Sequence, residues 1–365
     1  MNRYLSFIIF RPLFRCKALL LTTFLLSLIA SVAVAQSEYI QAVDEYVPAP
    51  GQFVNDVMPA ATADDTPATM AAKCTERLAN NAGNMVTLGA YGGYITFHFD
   101  HPVVNIAGQS DFAIFGNAMV GGSEPGIVMV SQDTNGNGLP DDVWYELSGS
   151  ADVDSVGKVV YGYQITYTRQ GDTQDVAWTD NLGNSGVVPR NGYHKQEYFP
   201  LWLGNELTFT GTLLPPNGVN TKPKGQNWVL SSLSYGYVDN VPNKDEEGNN
   251  DIEGNGFNLD WAVEPVSRQP VSLTHADFFR VYTALNQVCG WLGETSTEVM
   301  GAEDLHLEAS LEQTSAIRDA RWLNDHSPLL EKCGVWRSLD GRQLAGKPTS
   351  PGIYLFKGKK IIINP

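Results

Sequence analysis

Cysteine is scarce and unpatterned. There are four in 365 residues, no CxxC pair, and six scattered histidines, a composition that argues against a zinc site. Basic residues are few as well: Lys plus Arg number 24 against 40 Asp plus Glu, a formal net charge of −16. Such a field repels nucleic acid and anionic membranes, and suits cations, neutral ligands or plain solubility. GxSxG, HExxH and a Gly-rich phosphate loop are all missing, and with them the short signatures of serine hydrolases, zincins and nucleotide binders. Beyond the first 35 residues no apolar run is long enough to span a bilayer.

Those first 35 residues read as an address. Arg3, Arg11, Arg15 and Lys17 form a basic leader without an acid, followed by the apolar run ALLLTTFLLSLIASVAVA. Ala33-Val34-Ala35 before Gln36 fits the small-x-small pattern of signal peptidase and favours cleavage over a retained anchor. No Cys follows the run, which argues against a lipid anchor, and removal of the leader takes the net charge to near −20. Cys74, Cys289 and Cys333 remain; the odd count leaves one free or paired between molecules, and a Cys74–Cys289 bridge is open.

The expected fold is mainly β: a jelly-roll or β-sandwich domain over residues 66–306 with one N-terminal helix, preceded by an extended arm over 36–65. TPATMAAKCTERLANNA is the helix, with Thr66 as cap, Pro67 at the first position, and Met70, Cys74 and Leu78 recurring every four residues. Short runs such as YITFHF, DFAIFGN, GIVMVS, WYELSG, YGYQITYTR, ELTFTGTLL, NWVLSSLSYGYV and DFFRVYTAL then alternate with Gly, Asn, Pro and Asp clusters, the texture of a sandwich. A polar linker over 307–332 leads to a small β unit over 333–365, in which VWRSL, GIYLF and KIIIN are divided by DGR and KGK turns.

DTNGNGLPDD, Asp133 to Asp142, is the most distinctive acidic stretch. With Asp133 as position one, oxygens fall at three (Asn135), five (Asn137) and nine (Asp141), Gly138 stands at six, and Leu139 offers a carbonyl at seven. That spacing fits a calcium loop, here between two strands rather than two helices. Position twelve is Trp144 rather than a bidentate Glu, so Asp142, Glu146 or a distant carboxylate would complete the shell. The alternative is an Asx- and Gly-rich turn that needs no ion. A second acidic tract, NKDEEGNNDIEGNGFNLD (243–260), lacks regular spacing and reads as a solvated loop, with Asp251, Glu253 and Asp260 as the residues for a second ion or a pocket.

Two resemblances add to this reading. Leu339-Asp340-Gly341-Arg342, Pro351-Gly352-Ile353-Tyr354 and Lys359-Lys360-Ile361-Ile362-Ile363, in that order at the C-terminus, resemble the sorting domain of cargo of the type IX secretion system. The resemblance implies recognition by that machinery and release or attachment at the outer surface of a Gram-negative cell; the alternative is an ordinary terminal hairpin. The series LGAYGGYITFHFDHPVVNIAGQSDFAIFGN, SEPGIVMVSQDTNGNGLPDDVWYEL, NGYHKQEYFPLW and GWLGETSTEVMGAEDLH, over about residues 50–306, is similar to a family of surface proteins of gut bacteria. What this implies is a galactose-binding-like jelly roll on the cell surface, with corrinoid (vitamin B12) capture as one function because such relatives sit beside corrinoid-uptake genes.

Binding is favoured over catalysis. Glu124, Glu146, Glu294, Glu298 and Asp304 supply carboxylates for glycoside hydrolysis, but a chain with 40 acids always offers pairs. His194 with Ser123 or Ser296 could form a nucleophile pair only if the fold joined them. The aromatic residues are more telling, because several stand beside polar loop residues, the combination that stacks on and hydrogen-bonds sugars or a planar macrocycle. Trp178, Tyr193, His194, Asp239, Asn240, Trp291 and Glu294 are therefore the expected ligand residues, with Trp178 and Tyr193 foremost. A non-catalytic, calcium-stabilised surface protein that binds a glycan or other small nutrient leads; corrinoid capture and a carbohydrate-active hydrolase are the alternatives.

Overall fold

A computed structural model describes residues 36–309 except 172–173 and 223–226, together with 336–338, 347–348, 352–356 and 359–363. The leader, most of the linker and Cys333 lie outside the described residues. The chain divides into two compact units, Met1–Gln36 and Ser37–Pro365, and the elements below belong to the second.

In chain order they are β1 (Ala42–Val47), α1 (Pro67–Leu78), β2 (Val86–Thr87), β3 (Tyr94–Val104), β4 (Phe112–Phe115), β5 (Gly126–Ser131), β6 (Trp144–Leu147), β7 (Val160–Thr168), β8 (Val176–Asp180), β9 (Ser185–Val188) and β10 (Glu206–Leu213). There follow β11 (Gly218–Lys222), β12 (Asn227–Leu230), α2 (Ile252–Asn255), β13 (Gly256–Phe257), β14 (Ala262–Val263), β15 (His275–Thr283), β16 (Glu298–Val299), β17 (Gly301–Asp304), β18 (Trp336–Ser338), β19 (Gly352–Phe356) and β20 (Lys359–Ile363). The protein is mainly β, a sandwich with one substantial helix.

The principal sheet has six strands in the order β1-β3-β15-β5-β6-β14, all antiparallel. Alternation along β3 sends Ile95, Phe97 and Phe99 to one face, where β15 adds Phe279 and Val281 and β5 adds Val128 and Val130. Against this face lie α1, the pair β2–β16, and a three-stranded sheet, β13-β4-β17. Phe279 is the joint between the layers: it stacks on Phe97 at 5.6 Å and meets Phe112 of β4 edge-on at 4.8 Å, and Phe112 stacks on Phe257 at 5.5 Å. The helix forms where its caps predict, with a reciprocal Thr66–Thr69 capping box and Pro67 in the first turn, and it buries Met70, Cys74 and Leu78 completely.

The opposite face of the principal sheet is only partly covered. There Tyr94 meets Phe209 of a four-stranded sheet, β10-β7-β8-β9, whose Tyr163, Ile165 and Tyr167 form a second core. The Arg280 guanidinium lies over Tyr94 and Trp144, at 4.5 and 4.2 Å, and bonds Glu45 at 2.6 Å. The hairpin β11–β12 stands apart in its pairing, and β18-β19-β20 form an antiparallel sheet in which all three C-terminal strand expectations are met.

Several expectations need correction. The segment read as an arm contributes β1, an edge strand paired with β3; a register shift between Val43 and Glu45 breaks the period-two pattern that would have revealed it. Cys74 and Cys289 are both buried and free. Cys74 lies under α1 in the first core, whereas Cys289 faces Gly218 at the β11 hairpin, so they form no bridge. The tract 243–260 is anchored rather than merely solvated: Asn243 donates to the Gly116 carbonyl, Asn250 to Glu303, and Asp251 caps α2.

Because Phe279 contacts Phe97, Phe99 and Phe112, Phe279→Ala is expected to cost about 3–5 kcal/mol and to lower the denaturant midpoint accordingly. A loss below about 1 kcal/mol would show that the interlayer stack is not central.

Candidate ligand cavity

Five separated segments line a cavity of about 650 Å³. The turn between β4 and β5 supplies Asn117, Met119, Val120 and Glu124, and β12 supplies Asn227, Trp228, Val229 and Leu230. The loop after β9 brings Asn191, Tyr193 and His194, and the segment leading into β16 brings Trp291, Leu292, Glu294, Ser296 and Glu298. Gln52, Phe53 and Met58, in the turn after β1, close one side.

The mouth is apolar and exposed: Met119, Val120, Tyr193 and Trp291 are 69, 91, 83 and 57 % accessible. These apolar side chains are gathered at one opening rather than scattered singly. Asn191 steadies this rim; its Nδ2 donates to the Trp291 carbonyl at 2.9 Å and to Gln52 Oε1 at 3.1 Å, while its Oδ1 accepts from Tyr193 N at 2.7 Å. His194 stands edge-on to Phe53 at 4.6 Å.

The floor is acidic. Glu294 and Glu298 are each 3 % accessible, and Glu124 keeps partial access to the cavity. Asp239 lies fully buried immediately behind them. One carboxyl oxygen from each of Glu124, Asp239 and Glu298 lies within 4.8 Å of the others. Each is held by neighbouring donors. Glu298 Oε1 accepts from the Thr87 and Ser296 hydroxyls, both at 3.0 Å. Asp239 accepts from Asn117 N at 2.6 Å and Glu298 N at 3.0 Å, and Glu124 Oε1 accepts from Ser296 N at 3.2 Å. Gly116 is required here, because a Cβ on it would come within 2.4 Å of Asp239 Oδ1 and 2.6 Å of its Cα. Glu294 Oε1 accepts from Gln52 N at 2.6 Å, and its Oε2 is buried without a hydrogen-bond partner.

Burial raises all four carboxyls. Glu124 and Glu298 are pushed well above the usual carboxylate range by desolvation and then by repulsion from the neighbouring acids. Desolvation lifts Asp239 to about 7 and Glu294 to about 7. Among the described residues that line the cavity none is Lys or Arg.

Of the expected ligand residues, Tyr193, His194, Trp291 and Glu294 meet in this one cavity. Asp239 serves from behind the floor. Asn240 is scaffold: it accepts from Ser123 Oγ and Leu233 N and donates to the Leu233 carbonyl. Trp178 is elsewhere; its neighbours VAWTD and SGVV form the hairpin β8–β9, and its ring packs over Gly186 beside the second core. Glu146 is also elsewhere, buried with Arg268 at 2.6 Å and Thr212 at 3.0 Å, and so can neither complete a calcium shell nor act in the cavity. Ser123 is bound to Asn240, and the Ser296 hydroxyl is shared among Thr87, Gly89 and Glu298, so neither is free to pair with His194. Asp304 binds His101 at 2.8 Å. Gln52, Phe53, Met119, Asn191 and Asn227 carried no distinctive local signal; GGSEPG and WLGETSTE, with acids set among small residues, did.

The loop Asp133–Asp142 is an exposed connection between β5 and β6. Asp133 accepts from Gly136 N, Asn137 N and Gly138 N at 2.8, 3.1 and 2.9 Å, and Asp141 accepts from the Asn135 and Asn137 side chains at 3.0 Å. The Leu139 side chain points outward, Asp142 Oδ1 accepts from the Thr134 hydroxyl, and Asp142 Oδ2 has no hydrogen-bond partner. Asp251, Glu253 and Asp260 do not line the main cavity.

A carboxyl whose folded pKa is raised favours the folded state most below its unfolded value, here 4.5, and loses that contribution as the pH climbs through about 7. Glu294→Gln in chelator should therefore leave the melting temperature at pH 4 nearly unchanged and raise it at pH 8, by up to the equivalent of about 3 kcal/mol. An equal shift at both pH values would mean that Glu294 titrates normally. No family model matches this chain, and a search of curated proteins returns no match.

Proposed function

We propose that this chain is a non-catalytic binding protein of the outer cell surface, and that a glycan is the ligand of the cavity. One observation carries the reading: Tyr193, His194, Trp228, Trp291 and Glu294, from three separated segments of the chain, line a single cavity with Gln52, Asn117, Asn191 and Asn227. Flat rings bury the apolar faces of a sugar while amides and neutral carboxyls take its hydroxyls. An acidic floor disfavours anionic ligands.

The leader and the C-terminal strands support export through the type IX system. Among the described residues no helix is long and apolar enough to cross a membrane. The Asp133 loop is proposed to hold calcium. The sequence spacing of its oxygen donors suits a hard cation at the millimolar levels found outside cells.

The test is retention of the purified chain on immobilised glycans, with cobalamin co-elution in parallel. Trp291→Ala and Trp228→Ala should each weaken glycan binding at least tenfold without loss of the fold. No retention on any glycan would overturn the reading, and stoichiometric cobalamin co-elution would replace it with corrinoid capture. At free calcium ten times the dissociation constant, the loop ion should stabilise by about 1.4 kcal/mol. Asp133→Asn should remove that part of the melting shift on chelation, and an unchanged response would remove calcium from the loop.

A further inference from the structure

We infer that the cavity floor is a second, distinct cation site, in which Glu124, Asp239 and Glu298 hold a divalent hard ion whose open side faces the cavity. The inference rests on the cavity being the ligand site, and the ion would meet the ligand's oxygens there.

The geometry fits. Calcium lies about 2.3–2.6 Å from its oxygens, so oxygens across its shell stand up to about 5 Å apart. The three carboxyl oxygens lie within 4.8 Å of one another. All three donors are carboxylates, a set that selects calcium, magnesium or manganese over softer metals. The second layer is also in place: two hydroxyls on Glu298, two backbone amides on Asp239 and one on Glu124 fix the orientation of each group.

A separate observation comes from the same wall of the cavity. Glu294 is 3 % accessible, lines the cavity beside Glu124 and Glu298, and its Oε2 has no hydrogen-bond partner. Buried polar atoms are almost always satisfied, yet this oxygen, enclosed in the cavity wall, has no donor from the chain; a bound ion with its water would give it one after a small shift of the side chain. Burying acids together without a basic partner is costly, and a bound cation offsets that cost. Glu124 closes the site from the accessible side and has the lightest structural duty, so its replacement tests ligation with the least damage to the fold.

Terbium serves as a luminescent surrogate for calcium, with Trp228 and Trp291 as nearby sensitisers. The whole chain carrying Asp133→Asn and Asp141→Asn, which removes any ion from the exposed loop, should bind one terbium with tryptophan-sensitised emission that excess calcium displaces. Adding Glu124→Gln should lower the affinity at least tenfold while the circular dichroism spectrum is kept. The otherwise unaltered chain should bind one ion more than its Glu124→Gln variant, which tests the same point if the loop variant does not fold. No sensitised binding in the loop variant, or unchanged affinity after Glu124→Gln, would overturn the inference. Either result leaves the glycan reading intact, since that is measured separately by retention; retention without any ion would likewise dismiss only the cation.

Discussion

The fold depends on one aromatic contact, Phe279 of β15 against Phe112 of β4. It joins the six-stranded sheet to the opposing layer, and Phe97, Phe99 and Phe257 extend it on both sides. Because β4 pairs with β17, and β2 with β16, the same contact fixes the height of the 298–304 segment over the core. Glu298 then projects from the start of β16 onto the Thr87 hydroxyl of its partner strand. The cavity is thus a product of interlayer packing at one end of the sandwich, with its floor on strands and its rim on loops.

That division of labour has a chemical result. Strand ends and tight turns hold the carboxyls, where burial raises their pKa values and where an outside cation or hydroxyl can interact with them strongly. Loops hold Trp291, Tyr193, Met119 and Val120, which remain exposed and offer apolar area to a ligand. A polar base thus lies beneath an apolar mouth. The exposed Asp133 loop is a different kind of feature, satisfied largely by its own backbone amides and remote from this floor in its lining residues.

Much of the architecture is legible locally. Thr66, Pro67 and a four-residue apolar spacing specify α1, and alternation in runs such as GIVMVS and DFFRVYTAL specifies strands, because each signal acts over a few residues. β1 escaped because its bulge shifts the register by one, and β8 because Trp178 stands among polar residues that resemble a turn. Glu294 and Trp291, which line the candidate cavity, stood out in the sequence because an aromatic and an acid stand together in a segment of small residues. Asp239 was found for the wrong reason: it is polar, near aromatics and buried, but it holds the floor rather than facing the mouth. Trp228 was visible only as one aromatic among many.

The sequence by itself determined the mainly β class, the helix and its caps, the strong acidity, and the residue types from which a binding site could be made. These follow from short-range periodicity and composition. Which residues share a cavity was decided only by the tertiary structure. Contacts such as Gln52 with Glu294, Gly116 with Asp239 and Asn191 with Trp291 close across loops of roughly one hundred residues or more, and no local pattern encodes such a meeting. The same packing withdrew Trp178 and Glu146 from the candidates and brought three carboxyls, Glu124, Asp239 and Glu298, within 4.8 Å of one another, with no Lys or Arg among the described residues that line the cavity.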